Sequence, residues 1–392
     1  MKKTAIVLGL GFGDEGKGIT TDYLVRNAQH PLVVRFSGGQ QAGHTVALSS
    51  GQRHVFSSIG SGALRGAPSY WSKYCTLYPT GLRKERESLQ KQGLRPMLYV
   101  DMLSMVTTPY DIAYNRATES LNNHGSCGLG FAATVERSTT TPNLLFAQDL
   151  QFGWVVAQKM KAIDTYYVQK IKRTNNDKLL GLYQEHLAAF TLETFWEDTQ
   201  IILQYIELVT EQSIVSKFDE IIFEGSQGIL LDQDHGFFPH VTRSYTTSRN
   251  AVEIIARNKL EVPDIYYITR AYQTRHGNGP MTNEQLPLQL INNENETNIL
   301  NDWQGNFRTS ILDLDLINFA IKTDSSYSGL STKHLVVTCL DQVPALSMTL
   351  HGDVRYPESF LESVQKGMIQ GNFKTLTESH GDCSDAMQTI IL

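Results

Sequence analysis

Residues 6–24 read IVLGLGFGDEGKGITTDYL. An apolar run breaks into a loop crowded with glycines, and the loop passes through a lysine into a helical segment. Strand, glycine loop and helix in that order make the opening βα unit of an α/β fold. The backbone N–H groups of such a loop, with the helix N-terminus, bind phosphate. Gly11, Gly16 and Lys17 fit the G-x-x-x-x-G-K core of a phosphate loop. Two features depart from it. Gly18 stands where a Ser or Thr ordinarily helps to hold magnesium, and an acidic pair, Asp14-Glu15, lies inside a loop that attracts anions. Asp14 is the nearest substitute ligand, since a carboxylate suits a hard cation such as Mg²⁺ and can also accept a proton from a substrate. Read alone, the same residues also describe a tight glycine turn in which Asp14 caps the helix.

Short apolar runs rich in β-branched residues recur beyond this unit: PLVVRF (31–36), PMLYV (96–100), EIIFEG (220–225), DIYYITRAY (264–272) and HLVVTCLD (334–341). Runs that end in a glycine or a charge read as buried strands whose C-terminal ends carry loops. Helical candidates lie between them, notably residues 183–214, where apolar residues recur at spacings of three and four. The expected architecture is α/β: a largely parallel central sheet with flanking helices and a phosphate-loop-like first turn. One domain over residues 1–392 is expected, with helical insertions at about 100–215. The most polar run, NNENETN (292–298), reads as an exposed loop.

Composition narrows the class. With 41% hydrophobic and 19% charged residues the chain has the balance of a water-soluble globular protein, and a formal net charge of -6 lacks the basic surplus of a general nucleic-acid binder. Cys75, Cys127, Cys339 and Cys383 are too dispersed for a zinc knuckle or a disulfide framework and read as reduced thiols. No apolar stretch approaches the roughly 20 residues that span a bilayer, and the N-terminal run is too short for a signal peptide. A cytoplasmic, enzyme-like protein with no nucleic-acid or membrane partner is expected.

Four further segments carry side chains suited to chemistry. SGGQQAGHT (37–45) places His44 beyond a strand end, where an imidazole can act as a general acid near neutral pH. FEGSQGILLDQDHGFFPHVTRSYTT (223–247) gathers Glu224, Gln227, Asp232, Asp234 and His235, then Thr242, Thr246 and Thr247. It lacks the multi-His or Cys set of a zinc site, and Asp232 and Asp234 read as turn caps. TRAYQTRHGNGP (269–280) supplies Arg270 and Arg275, suited to bidentate recognition of carboxylate or phosphate, or to surface ion pairs. In VVTCLDQ (336–342), Asp341 follows a strand and has acceptors spaced for the guanine N1–H and 2-amino edge.

Taken together and in this order, GFGDEGKG, GGQQAGHT, FEGSQGILLDQDHG, AYQTRHGNGP and TCLD resemble the adenylosuccinate synthetase family over residues 6 to about 342, and ESHGD (378–382) is similar to its C-terminal nucleotide loop. The resemblance implies GTP- and Mg²⁺-dependent condensation of IMP with L-aspartate, giving adenylosuccinate, GDP and phosphate. It implies Asp14 as the base at purine N1 and as a Mg²⁺ ligand, Gly43 as a second metal contact, His44 as the acid at O6 and Lys17 on phosphate. The purine oxygen attacks the γ-phosphate, and the aspartate amine then displaces phosphate from the 6-phosphoryl purine. Implied nucleotide contacts are Gly13, Gly16, Gly18 and Gln41 in the first two motifs, and Gln227 and Thr242 in the third. GSCGLG (125–130) resembles the family's threonine-containing phosphate loop, with Ser126 and Cys127 in place of threonines. Asp341 resembles the guanine-reading Asp, with Cys339 in place of a lysine.

Two departures bear on substrate and assembly. The family's aspartate loop, Thr-Thr-Gly followed by several arginines, is reduced to WQGNFRTSILD (303–313), leaving Arg308, with Arg275, to hold a substrate carboxylate. The arginine that family members lend across a dimer to the nucleotide phosphate has no clear match, Arg137 being the nearest substitute, which weakens the implied homodimer. The reduced aspartate loop resembles the phage branch of the family, which makes 2-aminoadenylosuccinate from dGMP for diaminopurine-containing DNA. Asp14, often serine in that branch, points the other way. Two readings from other classes stand beside these: a GTP-binding protein with a decayed catalytic site, and a plain phosphate-loop NTPase that hydrolyses with no acceptor.

Overall fold

A computed structural model describes residues 2–122, 125–291, 303 and 305–392. The NNENETN run lies outside the described residues. Ten strands form the central sheet: β1 (Lys3–Gly9), β2 (Pro31–Arg35), β3 (Ser69–Trp71), β4 (Leu98–Asp101), β5 (Ile206–Val209), β6 (Glu220–Gly228), β7 (Asp264–Arg270), β8 (Thr332–Thr338), β9 (Phe373–Ser379) and β10 (Met387–Ile391). Their order across the sheet is β10-β9-β8-β7-β1-β6-β2-β3-β4-β5. Every neighbouring pair is parallel except β9 with β10 at one edge.

β1 lies near the middle, and Ile6, Val7 and Leu8 have no exposed surface. A strand covered on both faces needs no polar alternation, which is why β1 and its neighbours read as continuous apolar runs. All six apolar runs of the sequence form strands of this sheet. The other four strands are short or carry exposed polar positions; β9 is FKTLTES, and β10 at the edge is largely exposed.

The helical stretch expected over 183–214 divides. Helices span Asp177–Leu187 and Leu192–Leu203, and Ile206–Val209 is β5. Thr191 starts the second helix by accepting the Thr194 N–H at 3.1 Å. The run IELV then pairs with β4 instead of extending the helix. Five helices between β4 and β5 occupy 109–203, inside the expected insertion. They pack into a core that includes Ile112, Ile163, Tyr167, Phe195 and Ile202 together with Trp71 of β3 and Leu98 and Val100 of β4.

The five motifs follow five adjacent strands, β8, β7, β1, β6 and β2. Because these strands are parallel, their C-terminal loops emerge on one edge of the sheet, and segments more than 300 residues apart in sequence meet there. Among the described residues no helix is long and apolar enough to cross a membrane.

Candidate functional site

The loop after β1 is held from both sides. Its carbonyls at Gly13, Asp14 and Glu15 accept hydrogen bonds from Thr274 Oγ1 (2.9 Å), Arg270 Nε (2.5 Å) and Thr338 Oγ1 (2.7 Å). The Glu15 carboxylate turns back under the loop. Its Oε1 accepts the N–H groups of Gly11 (3.0 Å) and Gly13 (2.8 Å), and its Oε2 meets Lys17 Nζ at 2.5 Å. Glu15 and Lys17 are both buried. The helix Lys17–Arg26 starts at this lysine. Gly18 replaces the expected Ser or Thr for a steric reason: a Cβ there would lie 3.0 Å from the Thr45 carbonyl oxygen and 3.0 Å from the His44 Cβ. The loop after β2 is thereby packed directly on the phosphate loop.

Asp14 has a left-handed backbone, φ 63, which is sparsely populated for a residue with a Cβ. Its Oδ2 lies 3.3 Å from His276 Nε2. Burial opposes its ionisation, but the His276 hydrogen bond and the charges of His276, Arg270 and Lys17 outweigh burial and hold the carboxyl below the usual range. His44 is governed the other way. Its Nδ1 faces Glu224 Oε1 at 2.6 Å, and Glu224 also accepts the Ser61 N–H at 3.0 Å and the Ser61 hydroxyl. Burial lowers the His44 pKa further than Glu224 raises it. Near neutral pH the wall therefore carries an ionised Asp14 and a neutral His44 whose Nδ1–H donates to Glu224.

Two clefts open on this edge. The larger, about 460 Å³, is lined by the loop after β1, the loop after β2, Gly125–Cys127, residues 240–243 and residues 275–279. The smaller, about 120 Å³, lies between the phosphate loop and the loop after β8. Asp14, Lys17, Gly43 and His44 line both.

Most residues singled out from the sequence stand in one cleft or the other. Gly13, Gln41, Ser126, Cys127, Gln227, Thr242 and Arg275 line the larger; Gly16, Gly18 and Asp341 line the smaller. Ser126 is oriented by Asn115, which donates to its hydroxyl at 2.9 Å. Burial pushes the Cys127 thiol up to about 11, so at neutral pH it brings no negative charge. Arg275 stacks over Phe12 with 4.1 Å to the ring centroid and donates to the carbonyls of Pro280 and His240. Burial, with Arg308 close by, lowers its pKa to about 10, and it stays a cation at neutral pH.

Two arginines are placed differently from the expectation. Arg137 lies fully buried inside the helical layer, paired with Asp111 at 2.8 and 3.0 Å and donating to the carbonyls of Val106 and Asn143. Phe131 and Ala132, at the start of its helix, do line the larger cleft. Arg137 is five to six residues further along, about 8 Å down the axis, where Asp111 captures it. Arg308 pairs with Glu284 at 2.7 Å and donates to the carbonyls of Gly277 and Gly279, so its guanidinium props up the turn that lines the cleft. Within the reduced aspartate loop, 303–313, Gln304 lies outside the described residues.

Glu15, Glu224 and His276 were present in the quoted motifs without an assigned role. Their partners belong to other strands or other faces of the loop, and linear spacing does not disclose them. For a metal, among the described residues no three His, Cys, Asp or Glu side chains converge. Asp14, part exposed and lining the same clefts as Gly43, fits an ion that takes one carboxylate and completes its shell with phosphate oxygens and water.

A phosphate-type loop heading a parallel sheet and serving two clefts at once defines an α/β protein of the nucleotide-loop class. The family model for adenylosuccinate synthetase matches residues 6–351, and the chain belongs to that family. Curated adenylosuccinate synthetases from Tolumonas auensis and Pasteurella multocida are 31% and 32% identical over 296 and 294 residues, 72% of this chain. The match spans about 65% of the length of those relatives. Two solved structures share the fold. Fully ligated adenylosuccinate synthetase from Plasmodium falciparum gives a TM-score of 0.67 at 16% identity, covering 98% of both chains. The cyanophage S-2L succinoaminodeoxyadenylate synthetase, bound to dGMP and to dATP as an energy donor, gives 0.62 at 15% identity, covering 99% of this chain and 95% of its own.

Replacing Arg137 by Ala is expected to cost about 3–5 kcal/mol in urea unfolding, because it strands the buried Asp111 charge. A nucleotide-contact role would instead leave stability intact and raise the KM for that nucleotide. The His44 contribution to stability is expected in full above about pH 6.5 and to fall as the pH drops below it, since the unfolded imidazole takes up a proton that the folded one resists. Unfolding free energies of wild type and His44→Gln between pH 7.5 and 5 should show a steeper loss for wild type.

Proposed function

We propose that the protein is a synthetase that joins L-aspartate to C6 of a 6-oxopurine nucleoside monophosphate, with GTP as phosphate donor. The observation that carries this reading is the wall of Asp14, Lys17, Gly43 and His44 common to the two clefts. A donor in the smaller cleft and a purine in the larger would have to meet at these residues. A single-nucleotide hydrolase has no use for the second cleft.

Asp14, ionised at neutral pH, takes the proton from purine N1. His44 Nε2, 3.4 Å from the Ser226 carbonyl, takes up a proton from solvent as nucleotide binds, with Glu224 stabilising the imidazolium, and hydrogen-bonds O6 as charge develops there, keeping that proton when O6 attacks. Glu15 and the two loop N–H groups keep Lys17 beside the transferring phosphate. O6 attacks the γ-phosphorus and GDP leaves. The aspartate amine then attacks C6 and expels phosphate, and Arg275 is the cleft-lining cation that suits the amino-acid carboxylate. Asp341, lining the smaller cleft, suits the guanine edge of the donor. Mg²⁺ would be held by Asp14 and the Gly43 backbone and would supply charge neutralisation at the donor phosphates.

Phosphate release by the purified protein with GTP, Mg²⁺ and L-aspartate is expected to depend on an acceptor. IMP, GMP and dGMP are compared against a no-acceptor control: turnover with IMP marks the route to adenylosuccinate, and turnover with dGMP the route to 2-aminoadenylosuccinate. Release without any acceptor, or none at all, overturns the reading. Asp14→Ala should lower turnover by about 10²- to 10⁴-fold with an unchanged circular dichroism spectrum.

A further inference from the structure

A nucleoside monophosphate carries between one and two negative charges at neutral pH, and the larger cleft must supply a counter-charge. Among the described residues its cations are committed with one exception. Lys17 is paired with Glu15 on the shared wall. Arg275 donates to two backbone carbonyls. Arg137 is captured by Asp111, outside the cleft. Arg243 lines the larger cleft, is exposed, and among the described residues its guanidinium makes no hydrogen bond, ion pair or ring contact.

The backbone that carries Arg243 is fixed. Thr242 N–H donates to the Leu231 carbonyl at 2.8 Å, Gln233 N–H to the Ser244 carbonyl at 3.1 Å, and Gly38 N–H to Ser244 Oγ at 3.1 Å. A pinned backbone with a free guanidinium at a cleft rim suits an anion that arrives from solvent. The same cleft is also lined by the first turn of the helix Phe131–Thr140, which carries no acidic residue, and by Ser126. Among the described residues it holds polar atoms without a partner: both amide atoms of Gln41, Oε1 of Gln227 and Nε of the buried Arg275. Such atoms await a polar ligand.

We infer that Arg243 binds the 5′-phosphate of the acceptor nucleotide, so that the counter-charge comes from the chain that holds the purine and no arginine need be lent by a second subunit. This rests on the reading of the larger cleft as the acceptor site. It also explains how the cleft can serve a nucleotide although Arg137 is unavailable.

Calorimetric binding separates this inference from the proposed reaction, since it needs no turnover. Wild type, Arg243→Gln and Arg243→Lys are titrated with IMP, GMP and dGMP and with the matching nucleosides. Arg243→Gln is expected to weaken the monophosphates by about 10- to 100-fold, to leave the nucleosides within about twofold, and to be partly rescued in Arg243→Lys. Equal weakening of nucleotide and nucleoside, an unchanged nucleotide affinity, or a wild type that binds no monophosphate overturns the inference. Binding that follows the expected pattern without acceptor-dependent phosphate release leaves Arg243 in place and overturns the reaction instead.

Discussion

The buried Glu15 carboxylate is the interaction on which the site is built. A loop with positive φ at Gly13, Asp14 and Gly16 is not held by its own local preferences. Glu15 fixes it from within by taking the N–H groups of Gly11 and Gly13, while Thr274, Arg270 and Thr338 fix three successive carbonyls from without. The carboxylate also balances Lys17, which would otherwise be a buried unpaired cation whenever no phosphate is present. Its position has consequences in two strands. A Cβ at Gly9 would come within 2.1 Å of Glu15 Oε2, and one at Gly228 within 2.3 Å of Oε1. β1 thus ends in glycine because Glu15 fills the space beside it, and β6 because Glu15 and the Gly11 carbonyl, 2.0 Å from such a Cβ, both do.

With the loop rigid, the two groups on the shared wall differ in how burial acts. Both Asp14 and His44 are disfavoured by burial in their charged forms. Asp14 has three cationic neighbours that outweigh the cost; His44 has one carboxylate, Glu224, whose effect is partly cancelled by Arg35 and Lys17. One wall therefore offers an ionised carboxylate beside a neutral imidazole, the difference on which the proposed base and acid roles draw. The difference is set by charges on neighbouring strands, since Arg270 ends β7, which pairs with β1, and Glu224 belongs to β6, which pairs with β2.

Much of this arrangement could be read in the sequence because parallel strands impose it. Once the apolar runs are strands, the loops behind them must share an edge, so GFGDEGKG, GGQQAGHT and TCLD converge whatever their separation. Asp14, Lys17 and His44 were identifiable for that reason. What stayed hidden depends on side-chain capture. The same motif contains Asp14 and Glu15, but the turn of the chain points one carboxylate to the clefts and the other beneath the loop. The helix expected over 183–214 failed at IELV because an open edge beside β4 competes for those β-branched residues, a tertiary effect with no local signal.

The arginines show the same limit most clearly. In the sequence Arg137, Arg275, Arg308 and Arg243 are equivalent cations near glycine-rich loops. In the fold each is sorted by the first acceptor within reach. Asp111 lies across from Arg137 in the helical layer and takes it, with Tyr167 Oη donating to the same carboxylate at 2.6 Å. Glu284 and two carbonyls take Arg308, and the turn they stabilise becomes one side of the cleft. Arg275, half-committed to carbonyls, keeps its charge but little freedom. Among the described residues Arg243 meets no acceptor, and an unmatched guanidinium lining a cleft with unpaired amide atoms suits an anionic ligand, the group that the inferred 5′-phosphate contact supplies.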